Sequence, residues 1–398
     1  MSKNYLFKLE NTIQNYAWGS KTALQSLFSI ENSEQQPQAE IWMGAHPNGC
    51  STLLIEGNRR SLASAIDENP KFWLGEKSES YGNQLPFLVK ILAAEQPLSI
   101  QVHPSKINAK HGFEQENNLG IAIDAPERNF KDTNHKPELI YAITPYLAMN
   151  GFRELQVIHK IFSAVDLPSL NEVLTPFLNQ PTKEALERLF AAILQMDQIK
   201  KNNAVKELLS FELPHEEDAE VIETFQLIGE LATLYPCDVG LFSPLFLNVV
   251  ELKPGEAMFL LAETPHAYLK GVGVEVMANS DNVLRAGLTP KHIDVPALLA
   301  NTRFDSIKVS ELTISPCKEG DRLVYPIPVD DFKFDIIHNG MLDVAVSSPE
   351  IVLCVDGVVE VTSYEGRVNL KAGESVIIPA ATPSYSLKNN GTVARTYY

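Results

Sequence analysis

Leu252-Lys253-Pro254-Gly255-Glu256-Ala257-Met258-Phe259-Leu260 is answered far along the chain by Leu370-Lys371-Ala372-Gly373-Glu374-Ser375-Val376-Ile377-Ile378. After each copy, at the same offset, comes a proline turn, Thr264-Pro265-His266 in the first and Thr382-Pro383-Ser384 in the second. A strand, a tight glycine turn, a strand and then a proline turn make the repeating unit of a double-stranded β-helix, a form of jelly roll. Two copies predict two barrels. The second carries Ser384 where the first has His266, so the second is expected to hold no metal and to serve structure or assembly.

Working outward from His266, the chain offers it partners. In Leu98-Ser99-Ile100-Gln101-Val102-His103-Pro104, strand alternation puts Gln101 and His103 on one face and Ile100 and Val102 on the other. His135-Lys136-Pro137-Glu138 adds a carboxylate. In cupin barrels His266 falls where the last ligand sits, and Gln101-Val102-His103 takes the place of the usual His-x-His pair. One Gln oxygen, two imidazoles and one carboxylate suit zinc with an open position better than a closed site, which is usually rich in Cys. The same set also fits iron in an oxygenase, because fold does not choose a reaction. The basic residues Lys90, Lys136, Arg285 and Lys291 fall in or beside these segments and imply an anionic ligand, most simply a phosphate. His46, in Ala39-Glu40-Ile41-Trp42-Met43-Gly44-Ala45-His46-Pro47, reads as readily as part of a core strand and turn as a ligand.

Across 398 residues the formal charge is −17, which argues against nucleic acid or an anionic membrane surface as partner. Focusing inside a cleft lets a local cationic cluster outweigh that screened distant field. Cys50, Cys237, Cys317 and Cys354 lie far apart without a CxxC pair, so they read as buried, apolar cysteines of a reducing cytoplasm. Met1–Trp18 lacks the apolar run of a signal peptide, and no stretch approaches the length of a membrane span. A cytoplasmic location is expected.

The length predicts more than one domain. Short apolar runs broken by Gly, Pro and Asn read as strands and loops from Tyr5 to about Leu147, with a helical excursion at Ser61–Asn69 and Phe72–Gly75 and a polar loop from Lys106 to Lys136. Helical spacing then takes over: Leu155, Ile158, Ile161, Phe162 and Val165; Leu186, Leu189, Phe190, Ile193 and Leu194; Val221, Ile222, Phe225, Ile228 and Ala232. Strand patterning returns after Val239. The expected fold is therefore mainly β with an α-helical insert. A discontinuous catalytic cupin domain spans 1–152 and 238–304, an all-helical insert spans 153–237, and a degenerate cupin domain spans 305–398. The insert is expected across the mouth of the first barrel, where it would exclude water.

Tyr16-Ala17-Trp18-Gly19, the Ala39–Pro47 segment, Ser99–Pro104, His135–Glu138, Pro265-His266-Ala267-Tyr268 and the long run Glu275-Val276-Met277-Ala278-Asn279-Ser280-Asp281-Asn282-Val283-Leu284-Arg285-Ala286-Gly287-Leu288-Thr289-Pro290-Lys291 together resemble type I mannose-6-phosphate isomerases, also called phosphomannose isomerases. The resemblance implies interconversion of mannose 6-phosphate and fructose 6-phosphate, feeding glycolysis or supplying activated sugars such as GDP-mannose. It implies one zinc per chain, held by Gln101, His103, Glu138 and His266, and it places the family's catalytic arginine on Arg285. Aldose–ketose isomerisation by a cis-enediol(ate) needs a proton shuttle, for which His135 and Lys136 rank first, ahead of zinc-bound water, Asp281 or Glu275. Ser99, Lys90, Lys136 and Asp281 are expected to meet substrate. Lys270 departs from the smaller residue many members carry and should affect only the rim of the site; His292 is given no role. A small-molecule sugar phosphate is the expected partner of a monomer or weak homo-oligomer. The rival expectation is a metal-bearing cupin that binds a sugar phosphate without turnover.

Overall fold

Each repeat turns on a glycine whose conformation an L side chain resists: φ is 92° at Gly255 and 85° at Gly373. In this computed structural model, which describes residues 5–211 and 218–398, the paired copies build equivalent strands. Residues 1–4, at the head of the Met1–Trp18 stretch, lie outside the described part. Leu247–Leu252 leads into Ala257–Leu260, and Gly366–Lys371 leads into Ser375–Ile378. Ala257–Leu260 belongs to an eleven-stranded sheet and Ser375–Ile378 to an eight-stranded one, so the repeat unfolds into two cupin-type barrels.

Register carries the equivalence further than the sequence did. Leu260 faces Glu138 across its ladder, and its counterpart Ile378 faces Glu350. His266 opens the long strand His266–Ala278 opposite Gln101, while Ser384 opens Ser384–Tyr397 opposite Ala345. The second barrel thus keeps a carboxylate where the first has Glu138, and has lost the imidazole and amide of the other two positions.

The two barrels are not separate along the chain. The short strand Phe7–Lys8 pairs with Ile377 and Val376 of the second sheet, and Thr313–Ile314 pairs with Met258 and Ala257 of the first. One apolar core joins Phe7, Phe28, Ile41, Phe87 and Val274 to Phe334, Ile351 and Ile377, burying side chains from both sheets together.

Between the paired strands Tyr146–Phe152 and Leu247–Leu252 stand the helices Leu155–Ser163, Asn171–Asn179, Lys183–Leu194, Gln198–Ser210 and Ala219–Leu234. The Thr182 side chain starts the third by accepting a hydrogen bond from the Ala185 amide, and Leu186, Leu189, Phe190 and Ile193 form its buried stripe. Asp218 caps the last in the same way. The core of this insert is continuous with Ile100, Val102, Leu284 and Ala286, so the helices back the strands that carry Gln101 and Arg285. Their packing lies behind the site strands.

Two expectations are corrected. Lys106–Asn118, read as loop, is a helix capped by Ser105. It buries only Ala109, Gly112 and Glu116, and it is tied down by polar groups: the Glu116 carboxylate accepts from the Asn129 and Phe130 amides and pairs with Arg128. A helix held this way leaves no apolar period to read. Of the cysteines, Cys354 is buried, Cys50 half-buried, and Cys237 and Cys317 exposed, all with free thiols. Cys237 follows Pro236 in a turn and Cys317 opens the edge strand Cys317–Glu319, where neither has a core to enter. No described helix is long and apolar enough to cross a membrane.

Candidate metal centre

His103 follows the strand Ile100–Val102, Glu138 opens Glu138–Ala142 and His266 opens His266–Ala278. Their ligand atoms all lie within 4.8 Å of one another, and all three residues are buried. The His103 Nδ1 lies 2.7 Å from the Asn282 carbonyl oxygen, and the His266 Nδ1 lies 2.9 Å from that of Thr264. A carbonyl only accepts, so each Nδ1 carries the proton and each Nε2 is left as a lone pair. These Nε2 atoms sit 3.3 and 3.4 Å from the two Glu138 oxygens, yet both are buried without a hydrogen-bond partner.

Two buried lone pairs facing a carboxylate, with no proton between them, are stabilised by a cation. Burial pushes the His103 imidazole down to about 4, with the nearby Lys136 adding to the shift, so it stays neutral and ready to ligate at neutral pH. Burial alone would raise the Glu138 carboxyl, but the Lys136 ammonium, 2.9 Å away, holds it well below its ordinary value. The Tyr268 hydroxyl donates to Glu138 at 3.3 Å. Gln101 joins by register, since it faces His266 on one side and Arg285 on the other. Cross-strand neighbours stand close enough for their side chains to meet. The donor set fits a divalent cation with room for a substrate oxygen.

The basic residues divide into two groups. Lys90 is buried, its Nζ 2.8 Å from Glu275 and 3.6 Å from Glu40, and Trp42 donates its ring N–H to the same Glu40. Burial would lower the Lys90 ammonium, yet these carboxylates outweigh it and hold it above its ordinary value. It is therefore committed as a charge inside the barrel. Arg285 is partly buried, which lowers its guanidinium without neutralising it. Burial lowers Lys291 too, helped by Arg285 and by Lys131. These three cations therefore form one neighbourhood, and the sequence reading had overlooked Lys131.

Asp281 is tied at the rim: Oδ1 is 3.3 Å from His46 Nε2, and Oδ2 accepts from the Asn48 side chain. His46 itself packs edge-on against Trp42, in keeping with the core-strand reading. Ser99 is half-buried beside Ile100. His135 Nε2 lies 2.9 Å from Asp331 Oδ2, on the segment that leads into the second barrel. Asn282 was quoted only as part of a turn, yet it is fully buried and organises the region. Its side chain bonds the Lys131 and Asp132 amides and the Asp132 and Asn134 carbonyls, while its own carbonyl holds His103.

In the second barrel Glu350 has a different companion. Arg395 Nε and Nη2 reach its two oxygens at 2.6 and 3.0 Å, Arg395 Nη1 reaches Asp335 at 2.6 Å, and the Tyr385 hydroxyl donates to Glu350 at 2.6 Å.

Fold and site together define a metal-centred cupin, with one barrel built to ligate and its partner closed by a guanidinium. The family models that match describe the catalytic domain of type I phosphomannose isomerase over residues 6–155, its helical insertion domain over 159–247, and the mannose-6-phosphate isomerase cupin domain over 321–398. The chain is 49% identical to the mannose-6-phosphate isomerase of Salmonella typhimurium over 98% of its length and 99% of that protein. It is 34% identical to the rat mannose-6-phosphate isomerase, covering 96% and 95%. A crystal structure of zinc-bound mannose 6-phosphate isomerase superposes with a TM-score of 0.91 at 47% identity, covering 99% of both chains. This chain belongs to the type I phosphomannose isomerase family.

Proposed function

We propose that this chain interconverts mannose 6-phosphate and fructose 6-phosphate through a cis-enediol(ate), with one zinc ion at His103, Glu138, His266 and Gln101. The observation that carries the reading is the pair of partnerless, buried Nε2 atoms facing Glu138, one strand away from Arg285. Zinc bound there supplies Lewis acidity toward the sugar's O1 and O2. Arg285 presents a planar, always-charged fork to the oxygens on which negative charge develops. Lys136, beside Glu138, orients a sugar oxygen at the same cleft, and His135 with Lys136 moves the proton between C1 and C2. Lys291 and Lys131, close to Arg285, favour the phosphate. Ser99 and Asp281 contact the sugar from the rim, and Lys90 acts on bound substrate as a fixed charge held between Glu275 and Glu40.

Residues 1–152 with 238–304 form the catalytic unit, 153–237 the insert and 305–398 the degenerate barrel, apart from the two short strands that cross between sheets. We place the protein in the cytoplasm as a monomer or weak homo-oligomer acting on a free sugar phosphate that feeds glycolysis or activated-sugar synthesis. Its net charge of −17 speaks against nucleic acid and anionic membrane as partners.

The test joins metal to turnover. The purified protein is stripped by chelation, Zn²⁺ or Fe²⁺ is added back, and mannose 6-phosphate is followed in D₂O for wild type and His266→Ala. Zinc-restored conversion with deuterium at C1 or C2, lost in the variant, is expected. Sugar phosphate bound without conversion in any metal form would instead establish a binding protein.

A further inference from the structure

Asp331 belongs to the segment leading into the second barrel, yet its carboxylate ends in the first. Its Oδ2 lies 2.9 Å from His135 Nε2, and the side chains are 8% and 19% exposed. The segment is fixed on either side of this contact. Tyr81 donates to the Asp330 carbonyl at 3.0 Å, and Phe332 is wholly buried in the core shared by the two sheets. From the other direction, 131–134 is clamped by the Asn282 side chain, and the Asp132 carboxylate accepts from the Ser280 hydroxyl and the Asp281 amide. His135 is the next residue, and Lys136 after it reaches Glu138. The short stretch from 131 to 136 is thus held at one end by the first barrel and at the other by a carboxylate from the second.

We propose that Asp331 is a positioning residue of the isomerase reaction, through which the second barrel fixes the imidazole of His135 and, by the peptide link, the approach of Lys136. The inference rests on the roles given above to His135 and Lys136. A carboxylate accepts only, so its bond selects the imidazole tautomer with the proton on Nε2 and leaves the Nδ1 lone pair free to take a proton. No hydrogen bond to His135 Nδ1 is found among the described residues. Burial would raise the Asp331 carboxyl, but His135 and Lys106 hold it below its ordinary value, so it is an anion when the contact is made. A ring left to rotate samples both tautomers and several orientations, and misplacement of a reacting group is costly in rate.

The experiment uses zinc-loaded protein: wild type, Asp331→Ala, His135→Ala, the double variant and Tyr81→Phe. Asp331→Ala is expected to lower kcat by about tenfold with KM within about twofold of wild type and with zinc content unchanged. In the His135→Ala background the same substitution should change kcat by less than about twofold, since partners acting as a unit are not additive. Tyr81→Phe removes a neighbouring hydrogen bond that ties the Asp331 segment to Ser78–Tyr81 and serves as the docking control, with kcat preserved. Long-range ¹H–¹⁵N spectra of the His135 ring should show an Nε2 proton in wild type and a tautomer mixture in Asp331→Ala. Additive losses, an equal loss in Tyr81→Phe, or an unchanged tautomer would overturn the proposal. Absence of turnover in the wild type would refute the isomerase reading alone, and the ring spectra would still decide whether Asp331 sets the tautomer.

Discussion

At the scale of single residues, the site is a problem of lone pairs. Asn282 and Thr264 each use a backbone carbonyl to hold an imidazole proton, and so aim both Nε2 atoms at Glu138. Arg285 adds the charge that no other residue type supplies in the same planar form. Arg285→Lys keeps the charge and loses the fork, so kcat is expected to fall by about 10²-fold while zinc content stays as in wild type; an unchanged kcat would remove Arg285 from the reaction. Strand alternation marked Gln101 and His103, the repeat marked His266 and the His135–Glu138 segment offered a carboxylate; of these, His103, Glu138 and His266 converge. Lys131, Asn282 and Asp331 were not legible. Each acts through a backbone bond or a partner more than a hundred residues away, and no local pattern encodes that.

Among the elements, the insert's helices were readable from their apolar spacing, and the helix Lys106–Asn118 was hidden because its anchors are Glu116, Arg128 and amides. The Lys183–Leu194 helix is capped by Thr182. Thr182→Ala is expected to destabilise the protein by about 1 kcal/mol, measured by urea unfolding, and to leave kcat unchanged, because the helix supports the site strands only from behind. A loss of activity at full occupancy of the folded state would mean that the insert takes part in the chemistry. What the insert packs on was not readable: an amphipathic stripe tells which face is buried and says nothing of what buries it. Its apolar partners, Ile100 and Val102, are the half of the site strand that points away from the ligands.

For the whole molecule, the repeat settled the architecture of two barrels, while the strands that cross between them were invisible to periodicity. Both barrels solve the same electrostatic problem at equivalent positions, Glu138 with a ligand set and Glu350 with Arg395. Removing one partner of a buried pair leaves a charge without compensation. Arg395→Met is therefore expected to cost about 3–5 kcal/mol, and Glu350→Gln on the same background should recover part of it; urea midpoints of the single and double variants check both. No recovery would place the cost on Asp335 or on the packing of Arg395 over Tyr397. The crossing strands also set a schedule for the chain as it is made. Phe7 and Lys8 are translated some 370 residues ahead of their partners Ile377 and Val376. At roughly 5–20 residues per second, that edge waits tens of seconds with its backbone unpaired. The interval is long enough for a chaperone to be its first partner, and the second barrel its last.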